Sequence, residues 1–396
     1  MNTKLFSLVV IAAVGVAACS SRGDDTAGPS DAATTIESTV SAASTEPDAP
    51  ATSERPETTE PRPTTEVTAT AEAESFTVGE WIAIPGGDDC RCSDGSPFEL
   101  WERPADPTRV VLYFQGGGAC FSAETCGPDS ETFTRSLTLG VAPDFRGIFD
   151  ETNPENPLAG HSIVYVPYCT GDVHLGDRVN QYSDTVTIDH NGFANARKGL
   201  DTVLVNYPDV EQLVVAGASA GSIPTPAFAG LAADVLTDTE IVTFGDSSAA
   251  YPDVPALNAG IGALWGVLEN VPDWPVNEGL TPEEWSFPGL YVQAGTQHPD
   301  ITFARFDYAY DQVQAGFAAL AGIRADDLVT FIDQTEADIE GAGVPVASYV
   351  APGDAHTILM GDELYDMEVG GVRLVDFLTT LVAGDVPPDV RCTECR

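Results

Sequence analysis

Large apolar side chains are almost absent from residues 20–75 and then recur in short bursts from Phe76 onward. Arg109–Gln115 (RVVLYFQ) and His161–Tyr168 (HSIVYVPY) are apolar runs of strand length, the pattern of strands buried on both faces. Glu211–Ala216 (EQLVVA) and the IVTFGD run ending at Asp246 repeat it. Gly289–Gln293, Ile301–Phe306 and Val346–Val350 are further predicted strands, the last beginning just after Pro345. Phe193–Asn206 carries its apolar residues at helical spacing and predicts an amphipathic helix. Strands alternating with helices predict one α/β domain, residues 76–396, built on a mostly parallel central sheet flanked by helices.

The segments before that domain read differently. Leu5–Ala17 is an apolar run behind Lys4, too short for a permanent membrane span. Val16-Ala17-Ala18-Cys19 resembles the lipobox of bacterial lipoproteins, which predicts a signal peptide over 1–18 and lipidation of Cys19. The expected product is exported and anchored to the cell membrane outside the cytoplasm. Residues 19–75 are rich in Thr, Ala, Ser, Pro and Glu, with 12 acids against 3 arginines, and read as a disordered, self-repelling tether.

Charge narrows the function classes. The whole chain carries a formal net charge of -44, and residues 76–396, with 49 acids against 13 bases, keep -36 of it. Such a surface repels phosphate backbones and anionic lipid. Nucleic acid is excluded as a main partner, and the lipid anchor is the only membrane contact expected.

The candidate chemistry is that of a serine nucleophile. Gly217-Ala218-Ser219-Ala220-Gly221 directly follows the EQLVVA run, a G-x-S-x-G sequence placed between a predicted strand and a sharp turn into a predicted helix. Pro224 and Pro226 predict an irregular helix start there. Gln115-Gly116-Gly117-Gly118-Ala119-Cys120 follows the RVVLYFQ strand. A glycine loop at that place in an α/β hydrolase lends backbone N–H groups to an oxyanion hole, so Gly117 and Gly118, with Ala220 after the nucleophile, are the expected donors. The chain order serine, acid, histidine leaves only His298 and His356 as bases, and His356, in a loop after the Val346–Val350 strand, is favoured over His298 in its Gln-His-Pro turn. For the acid, spacing leaves Asp311, Asp307 and Asp246 open, with Asp354 too near the histidine.

These motifs, taken together, resemble the pectin acetylesterases and the Notum carboxylesterases, a branch of the α/β hydrolases. The similar segments are Cys92-Ser-Asp-Gly-Ser-Pro, Phe114-Gln-Gly-Gly-Gly-Ala-Cys-Phe, Glu155-Asn-Pro, Val166-Pro-Tyr-Cys-Thr-Gly-Asp-Val-His-Leu-Gly, Gly217-Ala-Ser-Ala-Gly and Tyr310-Asp-Gln-Val-Gln. The resemblance implies the α/β-hydrolase fold with a cap insertion before the acid. It maps a triad onto Ser219, Asp311 and His356, pairs Cys92 with Cys169 and puts His174 near the pocket mouth. Trp265, Trp274 and Trp285 fall in the expected cap. Ala119 departs from the family, which usually carries a large aromatic at the glycine run.

Seven cysteines remain after Cys19, and in an exported chain they are better read as disulfides than as metal ligands. Cys120–Cys126 would brace the oxyanion loop, and Cys90 is expected to join Cys392 or Cys395. The combined expectation is a monomeric, lipid-anchored serine carboxylesterase for short acetyl esters, needing no cofactor or metal. A lipid deacylase or polyester hydrolase on the same triad, or a non-catalytic binding lipoprotein of the same fold, are the alternatives.

Overall fold

The computed structural model describes residues 78–144, 146–324 and 327–396. The signal segment, Cys19 and the tether expected over 19–75 lie outside the described residues.

Nine strands form the main sheet. In chain order they are β1 (Ile82–Pro85), β2 (Glu99–Arg103), β3 (Asp106–Phe114), β4 (His161–Val166), β7 (Gln212–Ala218), β8 (Glu240–Asp246), β9 (Thr302–Tyr308), β10 (Val346–Ala351) and β13 (Val390–Arg391). Their order across the sheet is β1-β2-β4-β3-β7-β8-β9-β10-β13, antiparallel at β1–β2–β4 and parallel from β4 onward. The remaining strands form two small hairpins, β5 (Arg178–Ser183) with β6 (Val186–His190), and β11 (Glu368–Val369) with β12 (Val372–Arg373).

The apolar runs follow from burial on both faces. Val110, Leu112 and Phe114 of β3 pack into one core layer while Val111 and Tyr113 pack into the other, and β4 and β7 alternate in the same way. Helices α1 (Gly192–Asn206), α2 (Thr225–Ala233), α4 (Phe287–Gln297) and α6 (Leu328–Gly341) contribute to the first layer, and α7 (Leu374–Val382) covers the second. Helix α3 (Pro255–Trp265) lies in the insertion between β8 and β9, and α5 (Gln312–Leu320) follows β9. This is the expected α/β-hydrolase-like architecture, with a large, mostly parallel sheet between helices.

One predicted strand is corrected. Gly289–Gln293 lies inside α4, where the Ser286 hydroxyl accepts the Gly289 N–H at 3.0 Å and Pro288 occupies the first turn without needing to donate. A short run centred on Leu290, Tyr291 and Val292 suits either a buried strand or a buried helix face; the serine–proline cap in front of it decides for helix.

Two of the three disulfides, Cys92–Cys169 and Cys120–Cys126, join the cysteines expected to pair. Cys392 bonds Cys395 instead of Cys90, which stays buried and unpaired beside α1, its thiol facing the Ala194 carbonyl at 3.7 Å. Cys92–Cys169 closes a loop with a sequence separation of 77 between the start of β2 and the end of β4. Replacing both of its cysteines with alanine should lower the unfolding free energy by about 4 kcal/mol, from the loop-closure entropy returned to the unfolded chain. Urea denaturation of the two proteins measures this directly, and a midpoint unchanged by the substitutions would refute it.

Candidate active site

Ser219 begins a single 3₁₀ turn (Ser219–Gly221) at the end of β7, with φ 54°, so the nucleophile candidate sits in the left-handed region that lifts its side chain off the sheet edge. Gly221 makes the turn possible, because a Cβ there would strike the carbonyl oxygens of Phe114 and Gln115. The two prolines have the predicted effect. Pro224 caps α2 and Pro226 lies in its first turn, so the helix starts six residues after the serine.

His356 joins two distant parts of the chain. Its Nε2 lies 2.8 Å from the Ser219 hydroxyl and its Nδ1 lies 2.6 Å from Oδ2 of Asp311. A neutral ring donating from Nδ1 and accepting at Nε2 satisfies both contacts. Asp311 is fully buried and doubles as the N-cap of α5. Its Oδ1 accepts the amides of Val313 and Gln314 at 2.8 and 3.0 Å, while Oδ2 also takes the Gln314 side chain at 3.1 Å. The cap fixes the carboxylate, and the second oxygen is left for the imidazole.

The other candidate acids are employed elsewhere. Asp307 accepts the Ala249 amide at 3.0 Å and the Gln314 side chain at 2.9 Å, and burial pushes its carboxyl up to about 7. Asp246 receives the amides of Ile358 and Leu359, and burial pushes it up to about 6. His298 faces Asp234 at 2.8 Å, at the end of α4.

The glycine loop lies beside Ser219. Gly118 has φ 79°, and a Cβ there would run into the Thr132 carbonyl, so no other residue fits. Among the described residues the amides of Gly117, Gly118 and Ala220 make no hydrogen bond, whereas the next amide, of Ala119, is spent on Thr132. The Cys120–Cys126 disulfide and the Trp265 indole, which donates to the Cys120 carbonyl at 2.8 Å, brace the loop from behind.

His174 is not at a pocket mouth. It is 1% exposed, sits between the rings of Phe114 and Tyr168, and reaches the Gln115 carbonyl from Nε2 at 2.9 Å. Burial depresses its pKa to about 4, so it stays neutral and supports the strand end in front of the glycine loop.

Two hollows meet at the serine. One is an apolar slot walled by Ile261, Trp265, Trp285, Phe287, Phe317 and Ile323 and reaching Ser219. Trp265 and Trp285 of the expected cap line it, while Trp274 turns away to hydrogen-bond Asp234. The other is an open groove on the far side of His356, bordered by Thr132, Thr134, Gln312, Leu320 and Met360. Sequence reading offered the cap tryptophans as aromatic walls but missed the apolar slot that Trp265 and Trp285 form with Ile261 of α3, Phe287 and residues 317–323, because these segments carry no motif. Among the described residues no cluster of His, Cys, Asp and Glu could hold a metal ion, and no helix is long and apolar enough to cross a membrane.

Comparison with known proteins bears out the resemblance. The family described as Pectinacetylesterase matches residues 77–255. Palmitoleoyl-protein carboxylesterase notum2 of Xenopus laevis is 28% identical over 141 residues, 33% of this chain and 27% of that protein. Inactive palmitoleoyl-protein carboxylesterase notum1b of Danio rerio is 34% identical over 90 residues, 22% of this chain and 65% of that protein. The matched stretch is thus about a quarter of the first relative's length. The structure of the Wnt deacylase Notum from Drosophila superposes with a TM-score of 0.57 at 16% identity, covering 81% of this chain and 97% of that one, which establishes a shared fold.

The buried histidines behind the site make a pH test. His190, fully buried, donates from Nδ1 to the Thr170 carbonyl (3.0 Å) and, as a neutral ring, accepts the Tyr182 hydroxyl at Nε2 (2.8 Å), and burial lowers its pKa from 6.5 to about 4. A depressed histidine contributes stability above its unfolded pKa and loses it as pH falls toward the folded value. Wild type should therefore lose about 2 kcal/mol relative to His190→Gln between pH 7.5 and pH 5. The comparison cancels Asp172, whose raised pKa of about 7 acts in the opposite direction in both proteins. Parallel stability curves for the two proteins across that range would show that His190 is not held neutral.

Proposed function

We propose, from the premise that residues 77–255 form a pectinacetylesterase-family domain in a Notum-like fold, that this chain is a serine carboxylesterase. The observation that carries the reading is His356 bridging Ser219 at 2.8 Å and Asp311 at 2.6 Å. Ser219 Oγ attacks the ester carbonyl as its proton passes to Nε2 of His356, and Asp311 stabilises the imidazolium through Nδ1–H. The oxyanion falls to the amides of Gly117, Gly118 and Ala220. Collapse breaks the carbon–oxygen bond to the alcohol, which leaves with the proton from Nε2. Water, deprotonated by His356, then hydrolyses the acyl-serine and restores the enzyme.

The slot favours an acyl chain longer than the acetyl group expected from the sequence. Two carbons would leave most of its apolar wall in contact with water, whereas an extended chain removes that surface at roughly 25 cal/mol per Å². The relative from Xenopus laevis, named a palmitoleoyl-protein carboxylesterase, accords with this. Three disulfides fit an oxidising compartment, and a lipid on Cys19, after removal of the signal segment, would hold the domain to a membrane through its tether.

The non-catalytic alternative gains weight from a relative named inactive, so turnover itself must be tested. Ser219→Ala should lower p-nitrophenyl ester hydrolysis by on the order of 10³-fold or more at unchanged melting temperature, and Asp311→Asn should lose on the order of 10⁴-fold. Wild-type protein that neither turns over nor accepts a fluorophosphonate on Ser219 is a binding protein. On a series of p-nitrophenyl esters from acetate to palmitate, kcat/KM should rise by about threefold or more per added CH₂ pair until the slot is filled. A maximum at acetate would return the reading to an acetylesterase.

A further inference from the structure

Among the groups the proposed mechanism leaves unused, Asp246 and Ser247 at the end of β8 are the most heavily committed. Strand β10, which leads into the His356 loop, lies three strands from β7, roughly 14 Å away at ~4.8 Å per strand. The loop must therefore travel back over the ends of β9 and β8 to bring the imidazole to Ser219. It has no regular structure from Pro352 to Ile358, so something other than a ladder must fix it.

The three amides that follow His356 are all received by one dipeptide. Ser247 Oγ accepts Thr357 N–H at 3.1 Å, and Asp246 Oδ2 accepts Ile358 N–H at 2.8 Å and Leu359 N–H at 2.9 Å. Ser247 in turn donates to Oδ1 of Asp246 at 3.0 Å. Asp246 is in register with Ala218, the residue before the nucleophile, and with Phe306 on β9. The catch point is therefore fixed by the sheet itself. Ser247 and Thr357 both have positive φ, 67° and 61°, a conformation that non-glycine residues adopt only under constraint.

A fully buried carboxylate without a Lys or Arg partner among the described residues costs stability unless its hydrogen bonds are filled. Here they are filled by the backbone of the histidine loop. We infer that Asp246, assisted by Ser247, is the positioning residue for His356, holding residues 357–359 so that Nε2 stays within reach of Ser219. The inference rests on the proposed triad. Asp246 touches neither the reacting atoms nor the imidazole, so its removal should lower the chemical step without weakening substrate binding.

The test uses the purified full chain and three variants, Asp246→Ala, Asp246→Asn and Ser247→Ala, each checked for folding by near-ultraviolet circular dichroism and melting temperature. The readouts are the second-order rate of fluorophosphonate labelling at Ser219, and kcat and KM on one p-nitrophenyl ester. Asp246→Ala should lower the labelling rate and kcat by on the order of 10²-fold with KM within about threefold of wild type. Asp246→Asn, whose amide oxygen still accepts the two N–H groups, should restore most of that loss. A folded Asp246→Ala that labels at the wild-type rate, or that changes KM alone, overturns the inference. Should Asp246→Ala fail to fold, Ser247→Ala decides: labelling slowed severalfold at an unchanged KM supports it, and an unchanged rate overturns it. Wild type that resists the label at Ser219 sinks the triad and this inference together, whereas a labelled wild type with unaffected variants sinks this inference alone.

Discussion

Burial of both faces of the parallel strands is the constraint from which the rest of the structure follows. Strands β3, β7, β8, β9 and β10 send apolar side chains into two core layers, so groups that do chemistry emerge only beyond their C-terminal ends. Each end is used. The glycine loop leaves β3, Ser219 leaves β7, Asp246 closes β8, Asp311 follows β9 and His356 follows β10. Serine and acid are held by stiff local devices, a tight turn and a helix cap. His356 alone depends on a long irregular loop, which is why its anchoring is a separate structural problem.

A second constraint is the shortage of cations. The domain has 13 bases for 49 acids, and the arginines nearest the core are already committed, Arg103 to Glu151 and Arg305 to Glu336. Buried carboxylates therefore take backbone amides as partners. Asp172 accepts Gly192 N–H at the start of α1, Asp246 the histidine loop, Asp307 Ala249 N–H and Asp311 the start of α5. An amide gives less charge compensation than a guanidinium, and the raised pKa values of Asp172, Asp246 and Asp307 follow from that burial. What the amides give instead is geometry, because each ties a loop to a strand end at a defined position.

The parts of the site legible in the sequence were those whose chemistry leaves a local trace. A G-x-S-x-G after an apolar run and a glycine run after another announce a turn that only small residues permit, and chain order left His356 as the better of two histidines. Asp311 needed the family resemblance, since an acid that reaches histidine through a helix cap looks like any aspartate before a helix. Asp246 was legible only as a rival acid, because its partners are backbone amides 112 and 113 residues away. Cys392–Cys395 was misjudged for a related reason: β13 pairs with β10, far in the sheet from Cys90, and a two-residue strand gives no periodic signal. Helix α4 shows the limit of periodicity itself, where the short run Leu290-Tyr291-Val292 fits both periods.

Charge and slot act on a substrate at different distances, and together they narrow the ester further than either does alone. The field of a domain at -36 extends over about a Debye length, ~8 Å at physiological salt, so it acts before any contact forms. Such a field disfavours a polyanionic glycan such as demethylated pectin, since among the described residues Arg135 is the one arginine bordering the groove by His356, which Glu131 also borders. A neutral ester passes, and its acyl chain then meets the slot walled by Trp265, Trp285 and Phe317. Ala119 lines the slot beside Gly118 and Ser219, so its small side chain leaves room on that side next to the serine. Extra room beside the carbonyl is wasted on acetate and useful to a bulkier acyl group. Under the proposed esterase function, the two filters therefore favour an uncharged leaving group and an extended apolar acyl chain.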